Sequence, residues 1–159
     1  MGAAKKREVI GVSIMEASPT KEFDLFRGVS QRVIAEIGKL GEEVTFKRDE
    51  IVFSADEPGS YFYELMEGEV DIVVLEKENM HFVVKRQGEI FGWSALVEPY
   101  VYSATARCLL PARAIRIGRD VIENAVKRHP EEGLIIYKHL IGIVAQRLRS
   151  AYQYIYRPQ

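Results

Sequence analysis

The chain has 159 residues, 47% of them apolar and 10% aromatic, which suffices for one domain with a sizeable core and is too short for two ordinary ones. Lysine and arginine number 22 against 23 aspartates and glutamates, a formal charge of −1, so no overall basic surface is offered to nucleic acid. One cysteine, Cys108, excludes an internal disulfide or a cysteine-built zinc site, and fits a reducing, cytoplasmic setting.

Residues 1–17 open on Lys5, Lys6 and Arg7, followed by a short apolar run that Glu16 closes without a cleavage site. This reads as a flexible or edge-pairing segment rather than a signal peptide. No stretch approaches the length of a membrane span, so no membrane partner is expected. Residues 18–159 form the expected folded unit. From Ser18 to Leu40 the pattern is helical: Phe23, Phe26, Val33, Ile34 and Ile37 share a face, Gly28 breaks it, and Ser30 caps the second part.

The period then shortens, and a β-rich body is expected over about residues 42–117. Short strand-like groups surround Val44, Phe46, Ile51 and Phe53, and a turn at Pro58-Gly59 leads into Tyr61–Met66. Val70, Ile72 and Val74 alternate with Asp71 and Val73, the mark of a half-buried strand. Residues 76–79 form a hairpin tip before the return strand from His81 to Arg86. Further strands are expected over Tyr102–Leu109 and Ala112–Ile117. Many short strands with frequent turns indicate a sandwich, barrel or jelly roll. Cys108 lies among small and apolar residues, as a buried, inert thiol does.

C-terminal helices are expected over about residues 119–156. Asp120 and Glu123 have capping-box spacing, and His129-Pro130 divides two helices. In the last, Leu134, Tyr137, Ile141, Val144, Leu148, Ala151 and Ile155 repeat in alternating steps of three and four, a heptad seam. Ile136, Leu140 and Ile143 form a second stripe beside it. One stripe is expected to pack on the β body and the other to meet a second copy, giving a homodimer.

The most informative stretch is Gly88-Glu-Ile-Phe-Gly-Trp-Ser-Ala-Leu96, followed by Tyr102-Ser-Ala-Thr-Ala-Arg107. It resembles the phosphate-binding cassette of the cyclic-nucleotide-binding domain family, which includes catabolite-activator-type sensor domains. There a Gly-Glu-x-Phe-Gly-Glu-x-Ala-Leu run forms a turn and short helix, and an Arg-x-Ala-Thr run starts the next strand. Asp56 through Phe62-Tyr63-Glu-Leu-Met-Glu-Gly68-Glu-Val70 is similar to a second segment of the family. The likeness runs from about Leu25 to Ile155. It implies a mainly β jelly-roll barrel with flanking helices and a long C-terminal dimerisation helix. Ligand-binding residues would then be Phe91, Gly92, Trp93, Ser94, Ala95, Tyr102, Ser103, Ala104 and Thr105. Separately from the family, Gly88 and Gly92 permit backbone conformations other residues resist, and a short helix opening near Trp93 would turn N–H groups toward an anion.

Two charged positions depart from the family. The glutamate that takes the sugar 2′-hydroxyl falls on Trp93, whose indole only donates. The arginine that pairs with the cyclic phosphate falls on Tyr102, a phenol neutral near pH 7. Loss of such a charged hydrogen bond costs on the order of 1.5–3 kcal/mol. Family glycines are also replaced by Asp49 and Ala55, which alters two turns. The aromatics Trp93, Tyr100 and Tyr102 either line a pocket for a flat or apolar ligand or fill it. Arg107 is expected to be solvated, on the same side of its strand as Thr105.

The expected function is a regulatory or sensor domain in signal transduction, with a small-molecule ligand or a protein partner. The alternative is a ligand-free dimeric interaction scaffold. The chain stops at Gln159 where a helix-turn-helix would follow in a full regulator, so direct DNA binding is not expected of it. His81, His129 and His139 have no metal-ligand spacing, and Ser94 lacks a Gly-x-Ser-x-Gly setting. No metal site, catalytic residue or enzymatic activity is therefore assigned. A cyclic nucleotide is the one cofactor-like ligand the resemblance implies, and the two lost charges argue against it.

Overall fold

The computed structural model describes residues 24–75 and 80–156. The amino-terminal segment 1–17, residues 18–23 of the expected helical stretch with Phe23, and the hairpin tip at 76–79 lie outside them.

Leu25–Gly28 form a turn rather than a helix, and the helix proper, α1, spans Gln31–Lys39. Ser30 caps it as expected: its Oγ accepts from the Val33 N–H at 3.4 Å, satisfying one of the free donors of the first turn. Eight strands follow: β1 (Glu42–Phe46), β2 (Ile51–Phe53), β3 (Tyr61–Glu67), β4 (Val70–Leu75), β5 (Met80–Val84), β6 (Ile90–Phe91), β7 (Thr105–Cys108) and β8 (Ala112–Gly118). Helices α2 (Arg119–Arg128) and α3 (Pro130–Ile155) complete the described residues, and a 3₁₀ turn at Trp93–Leu96 lies between β6 and β7.

The strands form two antiparallel four-stranded sheets, ordered β1-β8-β3-β6 and β2-β7-β4-β5. The expected jelly roll with flanking helices is present, but as two open sheets face to face; neither closes into a barrel. Between them lies a core of Phe53, Tyr63, Leu65, Val70, Val84, Phe91, Ala106, Cys108 and Ala114. Burial pushes the Cys108 thiol up to about 11, which fits an inert side chain.

The central strands of the first sheet, β3 and β8, are covered on both faces. Because successive side chains on a strand point to opposite sides, Tyr63 and Leu65 meet the facing sheet while Phe62 packs under the helices. Ala112 and Ala114 of β8 likewise face inward, and Ile115 and Ile117 face the helices. There they join Val33, Ile37, Ile122, Ile136, Leu140 and Ile143.

Two sequence expectations are corrected. The cap of α2 is Gly118, not Asp120: β8 runs straight into the helix, and Arg119 N–H donates to Ser60 O at 2.8 Å, so no capping box forms. The strand expected from Tyr102 begins only at Thr105. Tyr102 instead bonds the 54–60 loop, its N–H donating to Glu57 O at 2.9 Å and its carbonyl accepting from Asp56 N–H at 2.8 Å. The helices are tied at their ends. Ser30 donates through both its N–H and its hydroxyl to Glu132, at 2.7 and 2.8 Å, holding that carboxyl below its ordinary range. Gly133 lets α3 approach α2 closely, since a Cβ there would sit 2.7 Å from Val126 Cγ1.

One residue on the helix-facing side of β3 is polar. Glu64 is 4% exposed, and burial, then the nearby Asp24 carboxylate, push it up to about 9. It is neutral in the folded protein at pH 7, so folding takes up a proton. Its contribution is undiminished below about 4.5 and falls as pH rises toward about 9. Glu64→Gln should therefore stabilise the fold more at alkaline than at acid pH, with a limiting slope of about 1.4 kcal/mol per pH unit. Urea unfolding of both proteins near pH 5 and pH 8 measures this, and equal effects at the two values would exclude a neutral Glu64.

Candidate functional site

The cassette is built where β6 ends. Gly92 takes a left-handed φ of 73°, which turns the chain into the 3₁₀ segment Trp93–Leu96 as expected. The turn also needs glycine for space: a Cβ would lie 3.0 Å from Phe53 Cε1 and 3.3 Å from Tyr63 Cδ2. Ser94 Oγ accepts from Ser103 N–H at 3.2 Å, which clips the turn to the segment leading into β7. From α2, Arg119 donates through Nη1 to the carbonyls of Gly59 (2.8 Å) and Ala95 (3.2 Å), and lies 4.0 Å over the Tyr100 ring. The cassette is thereby joined to the first residue of the helical layer.

Of the replaced turn glycines, Asp49 keeps a left-handed backbone with φ 66°, and beside Ala55 it is Asp56 that takes φ 68°. Aspartate tolerates this region better than most residues, so both turns survive without glycine.

Tyr102 fills rather than lines. Its ring stacks on Phe53 with centroids 3.8 Å apart and planes 11° apart, and its hydroxyl donates to Tyr61 O at 2.7 Å. Phe53 in turn stacks on Tyr63, and Tyr63 on Phe91 at 5.1 Å, so four rings form one continuous packing. Burial pushes the phenols of Tyr63 and Tyr102 upward, each influencing the other, and both stay protonated at neutral pH. No charge exists in this cluster.

What remains beside the stack is a cavity of about 50 Å³. Six of the nine nominated residues border it: Phe91, Gly92, Trp93, Ser94, Ser103 and Ala104. The other three are elsewhere. Ala95 is fully buried against Gly59. Tyr102 is in the ring stack. Thr105 accepts from Ala55 N–H at 3.0 Å and faces an outer depression of about 520 Å³ with Asp71, His81 and Arg107. Arg107 is exposed as expected, and His81, also exposed, sits 2.8 Å from Asp71.

Sequence reasoning missed the rest of the wall: Phe53, Ile72, Val74, Phe82 and Arg147. Arg147 comes from α3, and its guanidinium lies 4.7 Å over the Phe82 ring. The signal was present in the spacing. The inward stripe Ile136, Leu140 and Ile143 continues by one more step of four to residue 147.

The other stripe of α3 is uncovered. Leu134, Ile141, Leu148 and Ile155 are 71%, 68%, 49% and 62% exposed, while Tyr137, Val144 and Ala151 are half-buried. Between this stripe and the cassette loop runs an apolar groove of about 710 Å³ bordered by Leu96, Val97, Tyr100 and Ile141. Among the described residues, no group of His, Cys, Asp and Glu is arranged to hold a metal, and no helix is long and apolar enough to cross a membrane.

The family model described as cyclic nucleotide-binding domain matches residues 43–129. The chain is 28% identical over 128 residues to the CRP-like cAMP-activated global transcriptional regulator of Mycobacterium tuberculosis, covering 79% of this chain and 55% of that one. It thus spans about half the length of that relative. Among solved structures it is similar to a cyclic nucleotide-binding domain from Methylobacillus flagellatus (TM-score 0.71, 20% identity, 94% of this chain and 82% of that one). It is also similar to the regulatory subunit of a cAMP-independent protein kinase A from Trypanosoma brucei (TM-score 0.68, 15% identity, 81% and 44%).

Removing one atom tests the role of Tyr102 as packing. Tyr102→Phe keeps the stack and loses the bond to Tyr61 O, so it should cost about 1 kcal/mol, whereas Tyr102→Ala should cost about 3–5 kcal/mol. Denaturant unfolding of the two variants reads both values, and near-equal small losses would mean the ring is not part of the core.

Proposed function

The chain belongs to the cyclic nucleotide-binding domain family, and from that premise we propose that it is a regulatory sensor domain whose cassette holds no cyclic nucleotide and whose output runs through α3 of a homodimer. One observation carries the first half: Tyr102 occupies the position of the family's phosphate-pairing arginine, and its ring and hydroxyl are both committed to the chain's own core. A cyclic phosphate brought to that position would meet a neutral, buried ring stack, and desolvation of the anion would go uncompensated there. The space is also too small. Pockets for drug-sized ligands measure roughly 300–1,000 Å³, against about 50 Å³ here. The same fold occurs in the regulatory subunit of a trypanosome protein kinase A described as cAMP-independent.

The second half rests on the exposed stripe of α3. Leu134, Ile141, Leu148 and Ile155 recur at steps of seven and are open to water, an arrangement that buries itself most simply against the same stripe of a second copy. The small volume beside the ring stack also supports a second reading, in which the dimer is a scaffold without any ligand.

Two measurements test the proposal. Calorimetry with cyclic AMP and cyclic GMP should give no saturable heat for the wild type. The double variant Trp93→Glu with Tyr102→Arg should show measurable affinity; tight uptake by the wild type would defeat the reading. Sedimentation should give a dimer that Ile141→Asp dissociates without loss of helical signal. A wild type that sediments as a monomer would remove α3 as the output path.

A further inference from the structure

Helix α3 carries a cation into the space beside the ring stack, in a place where the family resemblance assigns none. The guanidinium of Arg147 borders the cavity and stacks on Phe82 at 4.7 Å. Among the described residues no carboxylate lies within ion-pair distance of it; Glu89 acts on it only through its field. Burial lowers its hold on the proton, yet a guanidinium stays charged at neutral pH. A half-buried cation with no ion pair among the described residues favours a group that supplies negative charge beside it.

The remaining polar groups on the wall point to the same chemistry. Trp93 donates only, and the hydroxyls of Ser94 and Ser103 retain donor protons, since Ser94 Oγ acts as acceptor in its bond with Ser103 N–H. Among the described residues the wall includes no carboxylate, and the rest of it is apolar. Volume limits the occupant. With about 10–15 Å³ per water-sized probe, about 50 Å³ holds on the order of three to five heavy atoms. The Phe82 ring accepts no conventional hydrogen bond, so among the described residues the guanidinium N–H groups have no hydrogen-bond acceptor, and their fork matches a planar oxyanion.

We propose that the cavity between the cassette and α3 is a binding site for a small planar oxyanion, of the size of acetate, whose charge is met by Arg147 of the dimer helix. This rests on the reading that the cassette holds no cyclic nucleotide. It gives that domain a ligand class and a route for the signal. The occupant bridges Ser94 and Ser103 to α3 beside Ile141 and Leu148 of the exposed stripe.

The chain's single tryptophan is Trp93, so its emission reports occupancy directly. Purified protein is titrated with sodium acetate while fluorescence is read, and with sodium acetate and sodium nitrate in calorimetry, against sodium chloride at equal ionic strength. Saturable responses to acetate or nitrate, absent with chloride, are expected. Acetate alone would identify a carboxylate, and both anions any planar oxyanion. Arg147→Gln should weaken binding at least about tenfold, and Arg147→Lys should retain part of it. Near-ultraviolet circular dichroism checks that both variants keep the wild-type packing. A linear response, a response equal to that of chloride, or an Arg147→Gln titration matching the wild type would each overturn the proposal. If these fail while cyclic nucleotides also give no heat, the oxyanion site falls and the nucleotide-free reading stands. Saturable cyclic AMP heat would instead bring down the reading beneath it.

Discussion

The rest of the molecule depends on the central strands of the first sheet, β8 and β3, being packed on both faces. Alternation along β3 sends Phe62 to the helical layer and Tyr63 to the facing sheet, and β8 repeats this with Ile115 and Ala114. One layer of backbone therefore serves as wall for both the cassette interior and the helices. The two sides are close-packed, so a displacement on one side is felt on the other. Arg119 adds a polar tie across the same boundary, linking Gly59 and Ala95 to the start of α2. Glu64 is a buried polar residue on the helix-facing side, and the chain accommodates it by keeping it neutral.

On the proposed reading, a tyrosine at the position where the family resemblance implies an arginine changes which energy term fills the cassette. A guanidinium there would require an anion to offset its burial, and the pocket would be incomplete without its ligand. A tyrosine stacked on Phe53 completes the space from within the chain. Each aromatic pair adds about 0.5–1.5 kcal/mol beyond its area burial, while the hydroxyl, which would be costly if unpaired, has Tyr61 O as acceptor. Three ring contacts run from Tyr102 through Phe53 and Tyr63 to Phe91. Opening the family's full pocket would break into this packing, so the stability of the fold and the size of the cavity are set by the same residues.

Features written in short-range pattern were legible in the sequence. The alternation of β4, the glycine turn at Gly92, the cap at Ser30 and the two stripes of α3 all follow from spacing and residue type. The direction of Tyr102 was not, because whether it lines or fills depends on Phe53, which is distant in sequence and adjacent only after the sheets pack. Arg147 was passed over because a charge on a helix ordinarily faces water. Its place on the inward stripe outweighs its charge, since its long side chain can run along apolar surface to the cavity. The capping box at Asp120 failed for a different reason. The spacing was right, but the extended cap position where β8 passes into α2 falls on Gly118, which has no side chain to accept, and Ser60 O takes the Arg119 N–H.

The length of α3 explains why two faces of one helix have different fates. Its 26 residues extend about 39 Å at 1.5 Å per residue, longer than the β body can cover. The buried residues of α3 run from Gly133 to Ile143 and Arg147 borders the cavity; beyond it Leu148, Tyr152 and Ile155 are exposed, while Ser150, Ala151 and Tyr154 are half-buried. Arg147, which borders the cavity, is thus followed directly by Leu148 of the open stripe. On the proposed reading, a change in how Arg147 is held therefore acts directly beside the open stripe, and a small rotation of the helix there carries Leu148 with it.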